Sequence, residues 1–450
     1  MSTSSRKAAL ALVFLPALIA TAAHAAVSAA DAEKLKSTLT PLGAEKAGNA
    51  AGTIPAWDGG WKGSRPAGLK AGEVGKDPFP DDKPVLKITA KDLDKYNANL
   101  SETTKTLLKT YPDFYVNVYP TRRTGVAPQW VYDNTFKNAT TAELSDGNLK
   151  VSNAYGGTPF PIPKTGGEII WNHFLSWKGG AVSTYYNMHL ITADGRRSLA
   201  SEIDIVEQYP YYIQNGKDKF DGNWWLHKGT TTAPARSNGE ALIGRWPLDL
   251  AAKEPGSWQY MPGQRRVRKL PNVNYDTPNF YMSGVTQFDE AYGFFGKPDQ
   301  YDWKIVGKQE MYAPYNSNKI NGMPVDDLVD KHTLKPEHQR WELHRVWVVE
   351  GTLLPGKRNV VPKRRVYVDE DTWNILLSDQ WDAQGKLWRG MIGYPMVAYD
   401  VPAVIPLPFA TWDFQQRAWS LAGFVQKYAP ITPKPDNFFN PDTMAQDALR

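Results

Sequence analysis

The pattern of apolar and polar positions changes near residue 181. Before that point, apolar residues recur at helical spacing, and the clearest stripe comprises Leu93, Tyr96, Leu100, Leu107 and Tyr111. After it, apolar and polar residues alternate with a period of two through a series of segments separated by turn residues. The chain is therefore predicted to begin with helical and irregular structure and to continue as an antiparallel sheet.

Three capping-box sequences, at 28–31, 89–92 and 165–168, predict helix starts. The second helix is predicted to run over 89–111, where Pro112 stops it. The third continues through IIWNHFLSW towards Gly179, and it is apolar on most sides, so we expect it to be buried. The stretch 40–68 has no periodicity and is predicted to be an extended arm.

Two hairpins are evident in the alternating region. AVSTYYNMHLIT and RRSLASEIDIVEQY flank Ala193-Asp194-Gly195, and SWQYM turns at Pro262-Gly263 into QRRVRKL. Further strands are predicted in YDWKIVGKQEMY, RWELHRVWVVEGTLL, RRVYV, TWNILLSDQWD and KLWRGMIGY, giving a meander. The segment 341–353 is apolar on one face and mixed on the other, which suits a curved sheet with a concave interior.

These patterns predict an α+β, mostly antiparallel β fold. It has one wide, highly curved half-barrel sheet, helices that plug the concave face, and an extended N-terminal arm. The predicted divisions are 1–25, a cleaved signal peptide; 26–164, the arm and helices packed on the sheet; 165–430, the sheet with its plug helix; and 431–450, a C-terminal tail.

The first residues have the three parts of a secretory signal. Arg6 and Lys7 precede a short apolar run, and Ala23-His24-Ala25 forms a cleavage site, so the mature chain is predicted to start at Ala26 in a periplasm. No later segment is long and apolar enough to predict a membrane span. The chain has 0 cysteines, which excludes disulfides and a lipid-anchored cysteine.

Charge adds little to this picture. Removing the two signal cations lowers the formal net charge from +5 to +3, which is too mild to indicate a polyanion partner. Because exported chains rarely meet nucleic acid, no nucleic-acid partner is expected.

Several long segments, in the same order along the chain, resemble domain of unknown function family 1329. They are TPLGAEKAGNAAGTIPAWDGG, WQYMPGQRRVRKLPNVNYDTP, KPDQYDWKIVGKQEMYAPYN, LHRVWVVEGTL and RRVYVDEDTWNILLSDQWDAQGKLWR. The family is similar in fold to the LolA and LolB lipoprotein-sorting carriers, whose half-open β-barrel holds acyl chains around a helical plug. The resemblance implies a carrier of hydrophobic cargo, with an inner-membrane export pump and an outer-membrane β-barrel as candidate partners, and it implies no catalytic residues.

Catalytic and metal motifs are weak in this chain. GTLLPGK at 351–357 matches part of a phosphate-binding loop, but Arg358 replaces the hydroxyl residue and a strand follows, so a hairpin turn is predicted. The histidines lack metal-site spacing, and 369–371 lacks the alternating pattern of a calcium loop and is predicted to be a solvated turn. Asp289, Glu290 and Asp302 are candidate acid–base carboxylates that nothing places together. No cofactor, metal or catalytic set is therefore expected.

Aromatic residues on successive predicted strands suggest a ligand cavity with rigid walls. The predicted ligand-binding residues are Trp258, Tyr260, Trp303, Trp341, Trp347, Tyr367 and Trp373, with Arg266 and Arg268 near the cavity or its rim. Any one of these aromatic residues also fits an ordinary core position. The arginines equally fit salt bridges to Glu310 or Glu350 on adjacent strands.

Three functions are compatible with these features. The first is a periplasmic carrier that binds a hydrophobic small molecule or lipid and passes it between envelope components without covalent catalysis. The second is a hydrolase acting on a hydrophobic substrate in the same cavity, which requires a nucleophile, a histidine and an orienting group to converge. The third is a scaffold subunit of an envelope export assembly, which requires residues 39–60 to be loose rather than packed on the chain's own sheet.

Overall fold

The computed structural model describes residues 26–271, 273, 275–282 and 284–447. The predicted signal peptide lies outside the described residues. The helices are α1 (Ala29–Ala32), α2 (Leu93–Tyr96), α3 (Glu102–Thr110), α4 (Gln129–Thr141), α5 (Gly166–Phe174), α6 (Asn318–Asn321), α7 (Val325–Leu328) and α8 (Met444–Asp447).

Strands make up most of the regular structure after residue 180. They are β1 (Leu86–Ile88), β2 (Val116–Val118), β3 (Glu143–Ser145), β4 (Lys150–Ser152), β5 (Ala181–Ile191), β6 (Arg197–Gln208), β7 (Asn223–Ala233), β8 (Ala241–Pro247), β9 (Gly256–Met261), β10 (Arg266–Lys269), β11 (Tyr301–Pro314), β12 (Trp341–Leu353), β13 (Lys363–Asp369), β14 (Ile375–Trp381), β15 (Leu387–Gly393), β16 (Met396–Ala398), β17 (Ala403–Ile405), β18 (Phe409–Asp413) and β19 (Ala418–Pro430). Both predicted hairpins, β5–β6 and β9–β10, are present.

Within the described residues, a sheet of 15 strands has the order β1-β2-β12-β13-β14-β15-β18-β19-β5-β6-β7-β8-β9-β10, and β11 also pairs with β12. The pairing is antiparallel except between β2 and β12. The prediction of a simple meander after residue 181 was wrong. β5 lies near the centre of the sheet, and β6 to β10 follow it to one edge. The chain then returns through β11, β12 to β15, β18 and β19, and β19 pairs with β5. The predicted class, a wide, mostly antiparallel curved sheet, is confirmed.

The sheet is covered on both faces over its C-terminal strands. We call the face that carries Val366, Val368 and Ala422 the inner face, because these residues share a core with α5. The intervening residues Tyr367 and Leu421 belong to a second core on the outer face. Burial on both faces removes the need for polar positions in β18 and β19, so their sequences lack the alternation that identifies a half-exposed strand.

The helix predicted over 89–111 is broken. The capping box at Thr89 is present, but the chain forms a short 3-10 turn and α2, becomes extended at Leu100, and restarts as α3. Ser101 caps α3, since its side chain accepts a hydrogen bond from the backbone of Thr104. A second N-cap inside the apolar stripe thus produces two helices.

The predicted plug helix is α5, which begins at the Thr165 capping box and is buried along its whole length. It ends at Phe174, earlier than the expected stop near Gly179. Its rings pack on the inner face, where Phe174 stacks on Trp224 and Phe294. The helix therefore occupies the concave side of the sheet as predicted.

The N-terminal arm packs on the chain's own sheet. Arg345 on β12 donates to Glu45 at 2.8 Å, and the Trp373 indole donates to the carbonyl of Leu42 at 2.8 Å. Asn49 donates to Glu310 on β11 at 3.1 Å. These contacts hold the arm against the sheet, whereas the scaffold hypothesis requires a loose arm.

Among the described residues, no helix is both long and apolar enough to cross a membrane.

Candidate functional site: an aromatic cavity on the inner face

A cavity of about 110 Å³ lies between the inner face of β5–β9, β18 and β19 and the irregular segment formed by residues 273, 275–282 and 284–295. We call the part of this segment over 288–295 the cover. Its chain makes 3-10 turns over Phe288–Gly293 and then extends at Phe294. The cavity is therefore formed by the rigid sheet on one side and by non-repetitive chain on the other.

Aromatic rings from both the sheet and the cover line the cavity. Phe295 of the cover makes an edge contact with Trp225 at 5.1 Å and a tilted contact with Trp246 at 4.9 Å between ring centroids. Tyr292 of the cover lies 5.6 Å from Phe409 on β18. Such rings present large apolar faces with few rotatable bonds, so they suit a hydrophobic ligand.

Two buried ion pairs fasten the cover to the sheet. Arg364 on β13 donates to Asp289 at 3.0 Å, and Arg389 on β15 donates to Glu290 at 2.7 Å. Burial is the largest influence on the Glu290 carboxyl and raises its pKa, while Arg389 opposes that effect. The neighbouring acids therefore act as anchors, each with its own arginine, while Asp302 lies apart and pairs with Lys304.

Glu207 and His227 are adjacent polar groups in the cavity wall. The Glu207 carboxylate accepts hydrogen bonds from the Trp225 indole at 3.0 Å and the Tyr209 hydroxyl at 3.2 Å, and its Oε1 lies 3.7 Å from Nδ1 of His227. Burial acts to raise the pKa of Glu207, but His227, Trp225 and Tyr209 outweigh it and the pKa is lowered. The cavity thus contains a fixed negative charge.

A second, smaller cavity adjoins the first and shares Glu207 and Tyr292 with it. His173 of α5 and Lys178 also line it. Burial lowers the pKa of His173 to about 3, and burial lowers the pKa of Lys178 to about 8, with Glu207 acting in the opposite direction on Lys178. His173 is therefore neutral at neutral pH, with Nδ1 3.2 Å from the carbonyl oxygen of Trp373.

The predicted aromatic ligand residues are not brought together in this cavity. Trp258 and Tyr260 pack in a small core on the far side of β9 with Met444 of α8. Tyr367 lies in the outer-face core, because strand alternation places it opposite its inner-face neighbours Val366 and Val368, and Trp341 joins the same core at the start of β12, where it packs against Phe114. Their part in ligand binding stays a prediction without support from the cavity wall.

The other predicted aromatic residues face inwards but lie away from the cavity. Trp303 packs in the inner core and donates to the carbonyl of Pro298, and Trp347 lies against Lys308, whose ammonium is 4.7 Å from the ring centroid. Trp373 is fully buried beneath the arm. None of these described residues lines the cavity, because α5 and the arm cover this half of the sheet.

Arg266 and Arg268 lie on β10, at the exposed edge of the sheet. Arg268 donates to Gln259 on the paired strand at 2.9 Å. Gln259 is two residues from the cavity-lining Ser257, so both arginines share the cavity's face but stand outside its wall. Salt bridges to Glu310 or Glu350 were wrong: Asn49 contacts Glu310, and Lys363 and Arg365 contact Glu350.

The turn at 369–371 is buried, contrary to the predicted solvated turn. Arg123 donates to both carboxylate oxygens of Asp371, at 2.7 and 2.9 Å, and Lys308 pairs with Glu370 at 2.9 Å. Burial, reinforced by Asp371, raises the pKa of Asp369 to about 6. The reason is tertiary: Arg123 in the segment before α4 and Lys308 on β11 bring cations over the turn, and the arm adds the backbone N–H of Glu45, which donates to Glu370.

The outer side of β12 is also buried, where a mixed face was expected. Glu342 accepts from Arg340 at 2.6 Å, and His344 lies 3.1 Å from Glu342. His344, Asp369 and Asp371 each place one ligand atom within 4.8 Å of the others. Because the Arg123 guanidinium already occupies both Asp371 oxygens, this arrangement is an ionic network that carries its own positive charge.

The hydrolase hypothesis requires a serine paired with a histidine. Ser257, Ser420, His227 and Glu207 all line the cavity. Both ring nitrogens of His227 lack a hydrogen-bond partner among the described residues, so neither serine is hydrogen-bonded to it. Over the described residues, this cavity therefore contains a His–Glu neighbour pair without an attached nucleophile.

Sequence reasoning missed most of the cavity wall. Trp225, His227 and Trp246 lie on β7 and β8, which were not predicted, and Tyr281, Tyr292 and Phe295 lie in non-periodic chain. The dense aromatic content of 220–246 and 279–295 was a usable signal for these residues. The cavity-lining glutamates, Glu207 and Glu290, had no such signal, because their role depends on their burial in the fold.

Comparison with known proteins gives a family. The model of DUF1329, described as protein of unknown function, matches residues 87–450. The uncharacterized protein PA3922 of Pseudomonas aeruginosa is 38% identical over 391 residues, which cover 85% of this chain and 85% of the relative.

Solved structures show weaker likenesses. A DUF1329 family protein from Desulfovibrio piger matches with a TM-score of 0.44 and 13% identity, over 62% of this chain and 97% of that chain. A LolA superfamily protein from Nitrosomonas europaea matches with a TM-score of 0.37 and 12% identity, over 62% and 99%. One is named as a DUF1329 protein and the other as a LolA superfamily protein. With TM-scores of 0.44 and 0.37, neither structure supports a conclusion about ligands. The family model and the Pseudomonas relative confirm the predicted family: this chain belongs to DUF1329.

Proposed function

We propose that this protein is a periplasmic carrier that binds a hydrophobic or lipid-like ligand in the inner-face cavity and passes it between envelope components without covalent catalysis. One observation carries the proposal: a cavity walled by aromatic rings lies between the sheet and a cover that two ion pairs hold in place. Concave, mostly apolar sites with a few polar groups are the usual form of small-molecule sites.

Burial of hydrocarbon supplies the binding energy. Each methylene removed from water contributes about 0.8 kcal/mol, so ten methylenes, which need the cover to move outwards from its position over the 110 Å³ cavity, contribute about 8 kcal/mol. Association itself costs at least about 4 kcal/mol, so the net affinity for a chain of this length is modest and reversible. Reversible binding is what a carrier requires.

Release requires the cover to move or a competing acceptor to take the ligand. The cover has little regular structure, and the buried pairs Asp289–Arg364 and Glu290–Arg389 are its fixed points. An acceptor that loosens these pairs opens the cavity, whereas a ligand alone only fills it.

The proposed periplasmic location rests on the signal peptide predicted over residues 1–25. The inner-membrane export pump and outer-membrane β-barrel implied by the family resemblance stay predictions about the source and destination of the ligand.

The test is to fill the cavity from the sheet side. Ala422 on β19 lines the cavity, and Ala422→Leu places a larger apolar side chain in it. Binding of the fluorescent probe N-phenyl-1-naphthylamine to purified mature protein should weaken by at least about tenfold.

The matched control is Ala410→Leu on the neighbouring strand β18. Ala410 is in the outer-face core, so the same added volume stays out of the cavity and probe affinity should be unchanged. If the wild-type protein does not bind the probe, or both variants bind it as the wild type does, the proposed site is wrong.

A further inference from the structure

Strand β10 forms one edge of the large sheet, and it pairs with β9 and with no other described strand. Just beyond β10, the N–H of Leu270 donates to the carbonyl of Ser257 at 2.8 Å, so it points towards β9. Because successive backbone groups of a strand point to alternate sides, those of Lys269 and Val267 point away from β9. Among the described residues, no other backbone group bonds to them. The edge therefore offers two N–H groups and two carbonyls to an added strand.

The side chains at this edge are strongly basic. Four cations lie within five positions and all are exposed: Arg265, Arg266, Arg268 and Lys269. Over the described part of the chain, none of them forms a salt bridge, and Arg268 donates instead to the amide oxygen of Gln259 at 2.9 Å. These cations are therefore available to an acidic partner.

Another edge strand, β11, has its charges paired within the chain. Asp302 pairs with Lys304 at 3.0 Å, and Lys308 pairs with Glu370 at 2.9 Å. On β10, by contrast, a second copy of the same edge would bring the same four cations, and like charges on adjacent strands repel. The complementary occupant of β10 is therefore an acidic segment rather than a second copy of this chain.

The cations are divided between the two faces of the sheet. Arg266 and Arg268 lie on the inner face, whereas Lys269 shares the outer face with Val267, which packs against Met444 of α8. A flat anionic surface such as a membrane meets one face at a time. A strand beside β10 has side chains on both faces, about 5 Å from the side chains that they oppose. The distribution of charge therefore fits an added strand better than a membrane.

We propose that β10 binds an extended acidic segment of a partner protein, which adds to the sheet as a further strand. The order cation-cation-apolar-cation-cation over 265–269 reads the same in both directions, and it predicts acid-acid-apolar-acid-acid in the partner. The neighbouring strand β9 carries Ser257, which lines the cavity, so the partner lies beside the cavity. The proposal goes beyond the carrier function and does not depend on what the cavity binds.

The experiment measures binding of a fluorescein-labelled, C-terminally amidated peptide, Thr-Glu-Glu-Val-Glu-Glu-Thr, by fluorescence anisotropy with purified mature protein. Binding at low ionic strength should be saturable and should weaken at least about fivefold at physiological salt. The matched control peptide has the same sequence with N-methylated backbone amides, so it keeps the charge but cannot pair as a strand. Its affinity should be at least about tenfold lower.

Two sets of variants locate the site. Lys269→Pro removes a charge and the outward N–H, whereas Lys269→Gln removes the charge alone, and proline is tolerated on the free side of an edge strand. The proline variant should bind at least about fivefold more weakly than the glutamine variant at an unchanged melting temperature. Arg266→Gln with Arg268→Gln should weaken binding at least about tenfold. The control, Lys217→Gln with Lys219→Gln, removes two exposed cations from the β6–β7 loop and should stay within about twofold of the wild type.

Four outcomes would overturn the proposal. Equal binding of the N-methylated peptide, or equal affinities of the two Lys269 variants, would exclude strand pairing. Binding of phosphatidylglycerol vesicles without binding of the peptide would make the edge a membrane surface. No binding of either would mean that the cations only protect the edge from self-association. All four leave the carrier function standing, because that function is tested by probe binding in the cavity.

Discussion

Replacing one member of the Asp289–Arg364 pair should strongly destabilise the fold. The side chains are 2% and 0% exposed, and Arg364 has Asp289 at 3.0 Å and the Tyr301 hydroxyl at 2.7 Å as its hydrogen-bond partners. Asp289→Asn removes the negative charge and leaves the guanidinium buried. Breaking a buried pair in this way costs about 3–5 kcal/mol.

Removing both charges should restore much of that loss. In Asp289→Asn with Arg364→Met, the methionine occupies the apolar space beside Phe294, whose ring centroid is 4.9 Å from the guanidinium carbon. Hydrophobic replacement of a whole buried pair is often close to neutral, so the double variant should be within about 2 kcal/mol of the wild type. The coupling energy between the two substitutions is then several kcal/mol.

The assay is urea unfolding followed by tryptophan fluorescence for the wild type, both single variants and the double variant. The control pair is Lys62–Asp58, whose side chains are 61% and 75% exposed, where Asp58→Asn should change the unfolding free energy by less than about 1 kcal/mol. A loss below 1 kcal/mol for Asp289→Asn, or strictly additive losses in the double variant, would refute the anchoring role of the pair.

Three further expectations follow from buried contacts. The pKa of His173 is about 3 in the folded protein and 6.5 in the unfolded chain, so between these pH values the unfolded state binds more protons than the native state. The contribution of neutral His173 to the free energy of unfolding is therefore complete above pH 6.5 and is lost as the pH falls. From pH 6.5 to 5 the wild type should lose about 2 kcal/mol that His173→Gln does not, measured by urea unfolding, and equal slopes would contradict this. Gly390→Ala should cost about 1–3 kcal/mol, since the new methyl lies 1.8 Å from the Thr103 hydroxyl of α3, and an unchanged melting temperature would argue against tight docking of α3. Arg123→Met leaves Asp371 without its bidentate partner and should speed limited proteolysis within the arm, whereas an unchanged cleavage rate would show that other contacts hold the arm.

Local sequence signals predicted the elements that local chemistry determines. The Thr165 capping box gave the start of α5, and the Asp194-Gly195 turn gave the β5–β6 hairpin. Alternation in β13 placed Tyr367 opposite Val366 and Val368, but period alone does not say which face looks at the cavity. The predicted aromatic residues were not brought together, partly for that reason and partly because Trp303, Trp347 and Trp373 face inwards at a distance from the cavity.

Other features depend on residues distant in the sequence. Asp371 is buried because Arg123, 248 positions away, pairs with it, and a run of three acids carries no sign of that partner. The cavity requires the cover, whose placement depends on Arg364 and Arg389. Neither pairing has a local pattern, so the site became visible only with the tertiary structure.

The most direct test of the carrier function is to identify what the cavity holds. Protein purified from its own periplasm should be examined by native mass spectrometry and by organic extraction, with Ala422→Leu prepared in parallel. We expect a stoichiometric hydrophobic molecule on the wild type, displaced by N-phenyl-1-naphthylamine and depleted in Ala422→Leu. An empty wild-type protein that also fails to bind the probe would contradict the account.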